Sequence, residues 1–304
     1  MSLIVTGTLG IDSVETPTGS AERVPGGSAA YFCAAASAQG PVRLVGVVGG
    51  DWPEEHHAAL RGFEGIDLSG LERREDSSTF AWGGRYLENM NERETLFTEL
   101  GVLEEAPPSI PDSFVDSELV FLANSHPAVQ KSFLEQFAGR RLSVVDSMDL
   151  WINIARPELD EVISAVDGVL LNDSEVQQLT GIGNPYSAAH EILQMGPSFV
   201  IVKKGEHGAV LVHRDGTVVV PAFPVPLEGV VDPTGAGDSF AGGFMGYLER
   251  TGRLDFEALR AALGWGTVTA SFTLERFGLE GLRGLDLPRL EDRFEQLVRM
   301  TRLT

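Results

Sequence analysis

Cysteine is almost absent from this chain. Cys33 is the only one in 304 residues, which excludes an internal disulfide and fits a reducing compartment. Long apolar runs are missing too: none approaches the roughly 18 residues that a membrane helix requires, so no membrane partner is expected. The opening "MSLIVTGTLGID" lacks the basic region and cleavage site of a signal peptide and reads as a first strand, which makes the cytoplasm the expected location. Cations are scarce, with 23 Lys and Arg against 44 Asp and Glu and a net charge of −21. A surface of that sign repels nucleic-acid backbones and anionic lipid heads, so no nucleic-acid partner is expected either. Any polyanionic ligand must be met by a locally built cluster of N–H groups or by bound cations.

Several chemical motifs are also missing. Gly-x-x-x-x-Gly-Lys-Ser/Thr does not occur, which excludes a P-loop, and Gly7 to Gly10 lacks the Gly-x-Gly-x-x-Gly spacing of a dinucleotide turn. The six histidines show no His-Glu-x-x-His pattern and there is no cysteine cluster, which argues against a zinc site. Gly-x-Ser-x-Gly is absent as well.

What is present is alternation. "LIVTG", "VRLVGVVG", "ELVFLAN", "RLSVVD", "VDGVLLN" and "SFVIVKKG" read as strands. "SAAYFCAAASAQ", "EEHHAALRGF", "PAVQKSFLEQFA", "SEVQQLT" and "AAHEILQM" read as helices between them. Strands that are apolar throughout belong to a sheet covered on both faces. The expected fold is therefore α/β, a doubly wound, mostly parallel sheet flanked by helices, in a single domain over residues 1–304. Residues 11–25 and 78–100 break the pattern with β-type alternation and no helix. In the second, Thr79–Trp82 and Arg85–Leu87 face Glu94–Phe97 across "ENMNE" as a hairpin would. Together these stretches predict a small antiparallel β subdomain, either a surface elaboration or a lid over a site.

The stretch "VVDPTGAGDSFAGGF", residues 230–244, carries the chemistry. Gly235 and Gly237 let the backbone turn tightly and approach a ligand. Phe240, Gly243, Phe244 and Tyr247 then follow at helical spacing, and Gly242 and Gly243 imply close packing against a neighbour. The N–H groups of Ala236, Gly237 and Asp238 thus open a helix and are free to meet an anion. Asp238 would repel a phosphate unless it accepts a proton from an attacking alcohol. Donors for a migrating phosphoryl group beside such a base meet the demands of phosphoryl transfer. The competing reading makes Asp238 a helix N-cap.

"DPTGAGDSFAGGF" resembles the C-terminal signature of the ribokinase-like (PfkB) family of sugar and nucleoside kinases. "PGGSAAYFCAAASAQG" with "VRLVGVVGGD" resembles its N-terminal signature, and "LLNDSEVQQLTG" its Asn-x-x-Glu element; the three fall in the family's order over roughly residues 3–275. The resemblance implies an ATP- and Mg²⁺-dependent kinase acting on a hydroxyl of a small sugar or nucleoside. Asp238 would be the base and Gly235, Ala236 and Gly237 the anion hole. Asn172 and Glu175 would act through water on the Mg²⁺, the competing reading being a helix cap with a first-turn acid. Asp12, Gly26 and Gly27 would hold the acceptor, although Asp12 also suits a turn after the first strand. Asp232 and Thr234 lie where some members hold a monovalent cation such as K⁺.

"VKKGEHG" ends a strand on the nucleotide side, where Gly205 and Gly208 would open the loop to ATP and Lys203 or Lys204 would reach a phosphate or stay at the surface. Residues 264–278 match the region that lines the family's adenine pocket, with plain core packing as the other reading. One departure is Tyr31, at a position where the family often has Asn; a ring there, with Phe80, Trp82, Tyr86 and Phe97 in the lid, suits stacking on a flat base or packing within the small sheet. Only Arg23 and Arg43 are basic in the first sixty residues, while Arg85 and Arg93 lie in the lid, so an uncharged acceptor is favoured over a sugar phosphate. The rival class is a non-catalytic sensor of nucleotide or sugar on the same fold. The exposed edge of a lid sheet suggests a homodimer through the lids.

Overall fold

The computed structural model describes residues 1–302; residues 303 and 304, the last two of the expected domain, lie outside the described residues. The chain opens with β1 (Leu3–Thr6), a hairpin of β2 (Gly10–Thr16) and β3 (Gly19–Gly26), then α1 (Ser28–Ser37), β4 (Val42–Gly49), α2 (Glu54–Arg61) and β5 (Ile66–Arg74). A second hairpin, β6 (Phe80–Tyr86) and β7 (Arg93–Glu99), precedes β8 (Leu119–Leu122). Strands and helices then alternate through α3 (Pro127–Leu134), β9 (Leu142–Asp146), α4 (Asp149–Ile154), α5 (Arg156–Ala165), β10 (Gly168–Asn172), α6 (Asp173–Thr180), α7 (Pro185–Leu193) and β11 (Phe199–Lys203). A last hairpin of β12 (Ala209–His213) and β13 (Gly216–Val220) leads to α8 (Ala236–Thr251), α9 (Phe256–Thr273) and α10 (Leu287–Thr301).

Nine strands form one sheet in the order β13-β12-β11-β10-β9-β8-β1-β4-β5. Every pair from β11 to β5 is parallel, and β12 and β13 close the other edge antiparallel. The strands read as apolar throughout because successive residues enter two different cores. Leu3, Val5, Phe199 and Ile201 pack on the face of α1, α8 and α9, while Ile4, Val200 and Val202 pack on the face of α3, α5, α6 and α7. The close approach expected of the α8 glycines is present. A Cβ on Gly242 would stand 2.3 Å from the Phe32 carbonyl of α1, and one on Gly243 would stand 2.4 Å from Thr269 Oγ1 of α9.

The two irregular stretches form a separate sheet, β3-β2-β6-β7. Its two hairpins are antiparallel as expected, and they join along a parallel β2–β6 pairing. Three of its rings cover glycines of the sheet itself. A Cβ on Gly10 would meet Phe80 at 2.8 Å, one on Gly84 would meet Trp82 at 2.2 Å, and one on Gly83 would meet Phe97 at 2.2 Å. Packing within the small sheet thus accounts for Phe80, Trp82 and Phe97. Strand β5, the β12–β13 hairpin and helices α4, α5 and α10 are elements that the motif-led reading did not assign.

Candidate active site

In a parallel sheet, ligand-facing loops gather beyond the carboxyl ends of the strands, and here the chemistry-bearing residues do so. Asp146, Asn172 and Lys203 are the last residues of β9, β10 and β11. Thr8 follows β1, and its side chain and amide exchange hydrogen bonds with Ser28 at 3.0–3.1 Å, fixing the start of α1 beside it. Helix α8 points its N-terminus into the same region.

At that N-terminus Gly235 occupies the cap position with φ 73° and has no side chain with which to cap the helix amides; the Ala236 amide, expected to be free, instead donates to the Pro233 carbonyl at 3.2 Å. Asp238 is the third residue of the helix and makes no cap bond, so the cap reading of Asp238 falls. Burial pushes its carboxyl up to about 7, the Asp146 carboxylate adding to the rise and Lys203 opposing it. Lys203 Nζ lies 3.2 Å from the place a Cβ on Gly237 would take. It is no surface lysine: its side chain is 16% exposed and donates to Asp146 Oδ2 at 2.5 Å. Burial works to lower its pKa, but the Asp146 and Glu175 carboxylates outweigh that and hold the ammonium charged.

Asn172 and Glu175 form a capping box on α6. Asn172 Oδ1 accepts from the Glu175 amide at 2.8 Å, and Glu175 Oε2 accepts from the Asn172 amide at 2.7 Å. The helix-cap reading therefore holds as geometry, and it leaves Glu175 Oε1 outside the box. Burial pushes this carboxyl up to about 7, with Lys203 opposing the rise and Asp146 adding to it. Among the described residues no three carboxylates, histidines or cysteines converge as a metal cage. A divalent ion would fit here through its waters and a ligand's phosphates, with Glu175 as the nearby acid.

The acceptor end is built differently. Asp12 on β2 is 4% exposed, and its carboxyl lies so close to Gly26 that a Cβ there would fall 1.9 Å from Oδ2. Gly27 has φ 91° and would clash with the Thr8 carbonyl at 2.5 Å if it carried a side chain. Asp12 Oδ1 and the Tyr31 hydroxyl are buried without a hydrogen-bond partner among the described residues, as are the Ser125 and Ser147 hydroxyls just past β8 and β9. Burial pushes Asp12 up to about 7, the Gly27 amide opposing and Asp232 adding. The Tyr31 ring lies against the Cα of Gly235, 2.3 Å from where a Cβ would be, and burial among Asp232, Asp12, Tyr86 and Asp238 raises its hydroxyl pKa. The Tyr31 ring thus packs directly against the backbone turn that starts α8.

Asp232 ties its own loop together: Oδ1 accepts from the Thr234 amide at 2.8 Å and Oδ2 from the Gly278 amide at 3.1 Å. Asp232 thereby ties the loop both to itself and to the segment after α9. Gly205 meets the small sheet, since a Cβ there would stand 3.3 Å from Asn91 Oδ1. Gly208 is required by strand geometry: with φ 81°, a Cβ would fall 2.1 Å from the Val220 carbonyl. The Lys204 amide closes the intervening turn on the Gly208 carbonyl at 2.8 Å. Sequence reasoning missed Asp146, the two serine hydroxyls and the approach of Arg93, which lies near enough to oppose the rise at Asp238 and Glu175. An acid ending a buried strand, as Asp146 does in "RLSVVD", was the available signal.

The description "pfkB family carbohydrate kinase" matches residues 8–282. A cytidine kinase of Thermococcus kodakarensis is 31% identical over 280 residues, 88% of this chain and 98% of its own length. Among solved structures, the nucleoside kinase of Methanocaldococcus jannaschii superposes with a TM-score of 0.78 at 22% identity, covering 97% of this chain and 99% of its own. A candidate ribokinase II of E. coli in complex with ATP and Mg²⁺ superposes with a TM-score of 0.78 at 20% identity, over 97% and 100% of the two chains. The ordered motifs, the doubly wound sheet and these likenesses agree: the chain belongs to the pfkB family of carbohydrate kinases.

Proposed function

We propose that this chain transfers the γ-phosphoryl group of ATP to a primary hydroxyl of a nucleoside, with Asp238 as the base. The observation that carries the reading is the placement of Asp238 inside the α8 N-terminus, uncapped, with its carboxyl at about 7. A base so poised takes a proton at neutral pH, and donors at its side stabilise a migrating phosphoryl group. The amides of Gly237 and Asp238 at the start of α8 form the anion hole, and Lys203, steered by Asp146, reaches the phosphates past Gly237. Glu175 and Asn172 support the hydrated Mg²⁺ that neutralises phosphate charge. Asp12 Oδ1 accepts a sugar hydroxyl, and Gly26 and Gly27 let the sugar lie on backbone. The small sheet serves as the lid that keeps water from the site.

The nucleoside, rather than a free sugar, is supported by the likeness to the cytidine kinase. ADP release with ATP and Mg²⁺ against cytidine, other nucleosides, pentoses, hexoses and hexose phosphates tests it. Turnover on a nucleoside is expected. Turnover confined to a free sugar would refute the nucleoside assignment, and silence across the panel with ATP still bound would favour the sensor reading.

A further inference from the structure

The rings that the sequence offers for stacking on a flat ligand are mostly engaged elsewhere. Phe80, Trp82 and Phe97 cover glycines of the small sheet, and Tyr31 packs on Gly235. Trp52 and Trp265 are only 2% and 5% exposed. Trp151, on α4, is half-buried and keeps accessible surface. It stands just beyond β9, beside the loop that follows β8. Its indole Nε1 donates to Asn124 Oδ1 at 2.9 Å, and the His126 ring meets it edge-to-face with centroids 4.9 Å apart. Asn124 Nδ2 in turn donates to Met148 Sδ at 3.1 Å.

This cluster adjoins the diglycine turn. The Asn124 carbonyl accepts from Ser28 Oγ at 3.0 Å, and Ser28 directly follows Gly27. A Cβ on Gly7 would stand 2.7 Å from both Ala123 Cβ and Ser28 Oγ, so the end of β8 packs on the start of α1. Gln130 Nε2 donates to the Ala123 and Asp146 carbonyls at 3.0 and 2.9 Å, which joins the ends of β8 and β9. The indole is held still by its neighbours as well. Ile152 is buried in the core beside α3, α5, α6 and α7, and Asn153 Oδ1 accepts from Gln178 Nε2 of α6 at 2.7 Å. A ring fixed in advance loses little freedom when a ligand stacks on it. The Ser125 and Ser147 hydroxyls, each next in sequence to a member of the cluster, are buried without a partner among the described residues, so the cluster retains polar capacity for ring heteroatoms.

We propose that Trp151 is the platform on which the acceptor's base stacks, with Asn124 as the positioning residue that holds the indole edge beside the Gly27 turn. This rests on the nucleoside reading above and adds to it where the base goes. The sugar lies over Asp12 and the diglycine turn, and the base extends over the loops that follow β8 and β9. An indole face backed by polar groups suits a flat heteroaromatic ring, which a free sugar lacks.

The test applies calorimetry and steady-state kinetics to whichever of cytidine, uridine, adenosine and inosine the wild-type protein binds most tightly. Trp151→Leu keeps an apolar side chain and removes the ring. It should raise the nucleoside Kd and KM about tenfold to a hundredfold and leave kcat and the ATP KM within about twofold, as expected when ground state and transition state lose the same stack. Trp151→Phe keeps a ring and should stay within about threefold of wild type. Nucleoside binding should also quench the wild-type tryptophan emission, and Trp151→Phe should lose that quench while still binding, a signal that a merely structural role would not give. Unchanged nucleoside affinity in Trp151→Leu, or an equal quench in Trp151→Phe, would overturn the subsite and leave the nucleoside reading standing. A wild-type protein that binds none of the four would overturn both. If Trp151→Leu does not fold, as lost ATP binding would reveal, the quench in Trp151→Phe decides.

Discussion

The two ends of the site are finished to different degrees. On the nucleotide side, polar groups are satisfied by the protein itself: Lys203 by Asp146, Asn172 and Glu175 by each other, Asp232 by two backbone amides. On the acceptor side, Asp12 Oδ1 and the Tyr31 hydroxyl are buried with no partner among the described residues. Buried polar atoms are costly when unpaired, so a fold retains them where a ligand completes them. The nucleotide end is a fixed frame, whereas the acceptor end is a set of open valences that a hydroxyl-rich molecule would close.

Four experiments break or sharpen this contrast. The largest effect is expected at Asp238, which stands between the two ends. Asp238→Asn should lower kcat by about 10²–10⁴-fold and leave nucleotide binding in place. It should also raise the melting temperature, because it removes a buried carboxyl that burial disfavours as an anion. Next comes the frame. Lys203→Met would leave Asp146 buried and unpaired, at a cost of about 3–5 kcal/mol by chemical denaturation. Lys203→Met/Asp146→Leu should recover stability without recovering turnover, which separates the frame's structural role from its phosphate contact.

Gly26→Ala targets the open end. The new Cβ would fall on the Asp12 carboxyl, so Asp12 must move, and acceptor kcat/KM should fall by about tenfold to a hundredfold with the ATP KM unchanged. Steady-state kinetics on both substrates checks it; a parallel rise in the ATP KM would mean the two ends are not separable. The smallest effect is on stability against pH. Asp12 and Asp238 stand at about 7 in the fold against 3.8 as the ordinary value, so the folded state binds more protons across that interval. Their stabilising contribution is complete below about pH 4 and is lost as pH rises through 7. The ligand-free protein should therefore melt a few degrees higher at pH 5 than at pH 8, and a flat profile would contradict the burial argument.

Much of this was legible in the sequence, for identifiable reasons. Local signals survived: runs such as "SFVIVKKG" are apolar at every step because both faces are covered, and "DPTGAGD" states its turn and its helix start within seven residues. The hairpin around "ENMNE" was also local, with Tyr86 opposite Arg93 and Gly83 opposite Phe97. What escaped were pairings between distant positions. Lys203 and Asp146 are 57 residues apart, and Thr234 and Tyr86 are 148 apart, so no spacing rule links them. The role of Tyr31 was hidden in the same way, since its ring answers to Gly235 on another helix. Helix α10 is the exception: it buries Leu290 and Leu297 one heptad apart, a periodicity that local reading reaches.

The contrast between the two ends is tested most directly by following the side-chain carboxyl carbons of Asp12 and Asp238 by NMR as a function of pH, first in the free protein and then with the acceptor bound. The account predicts that both titrate near 7 in the free protein and that Asp12 falls toward the ordinary carboxylate range once a hydroxyl donates to it. Titration of both near 4 in the free protein would contradict it, because the acceptor end would then be as fully satisfied as the frame that faces it.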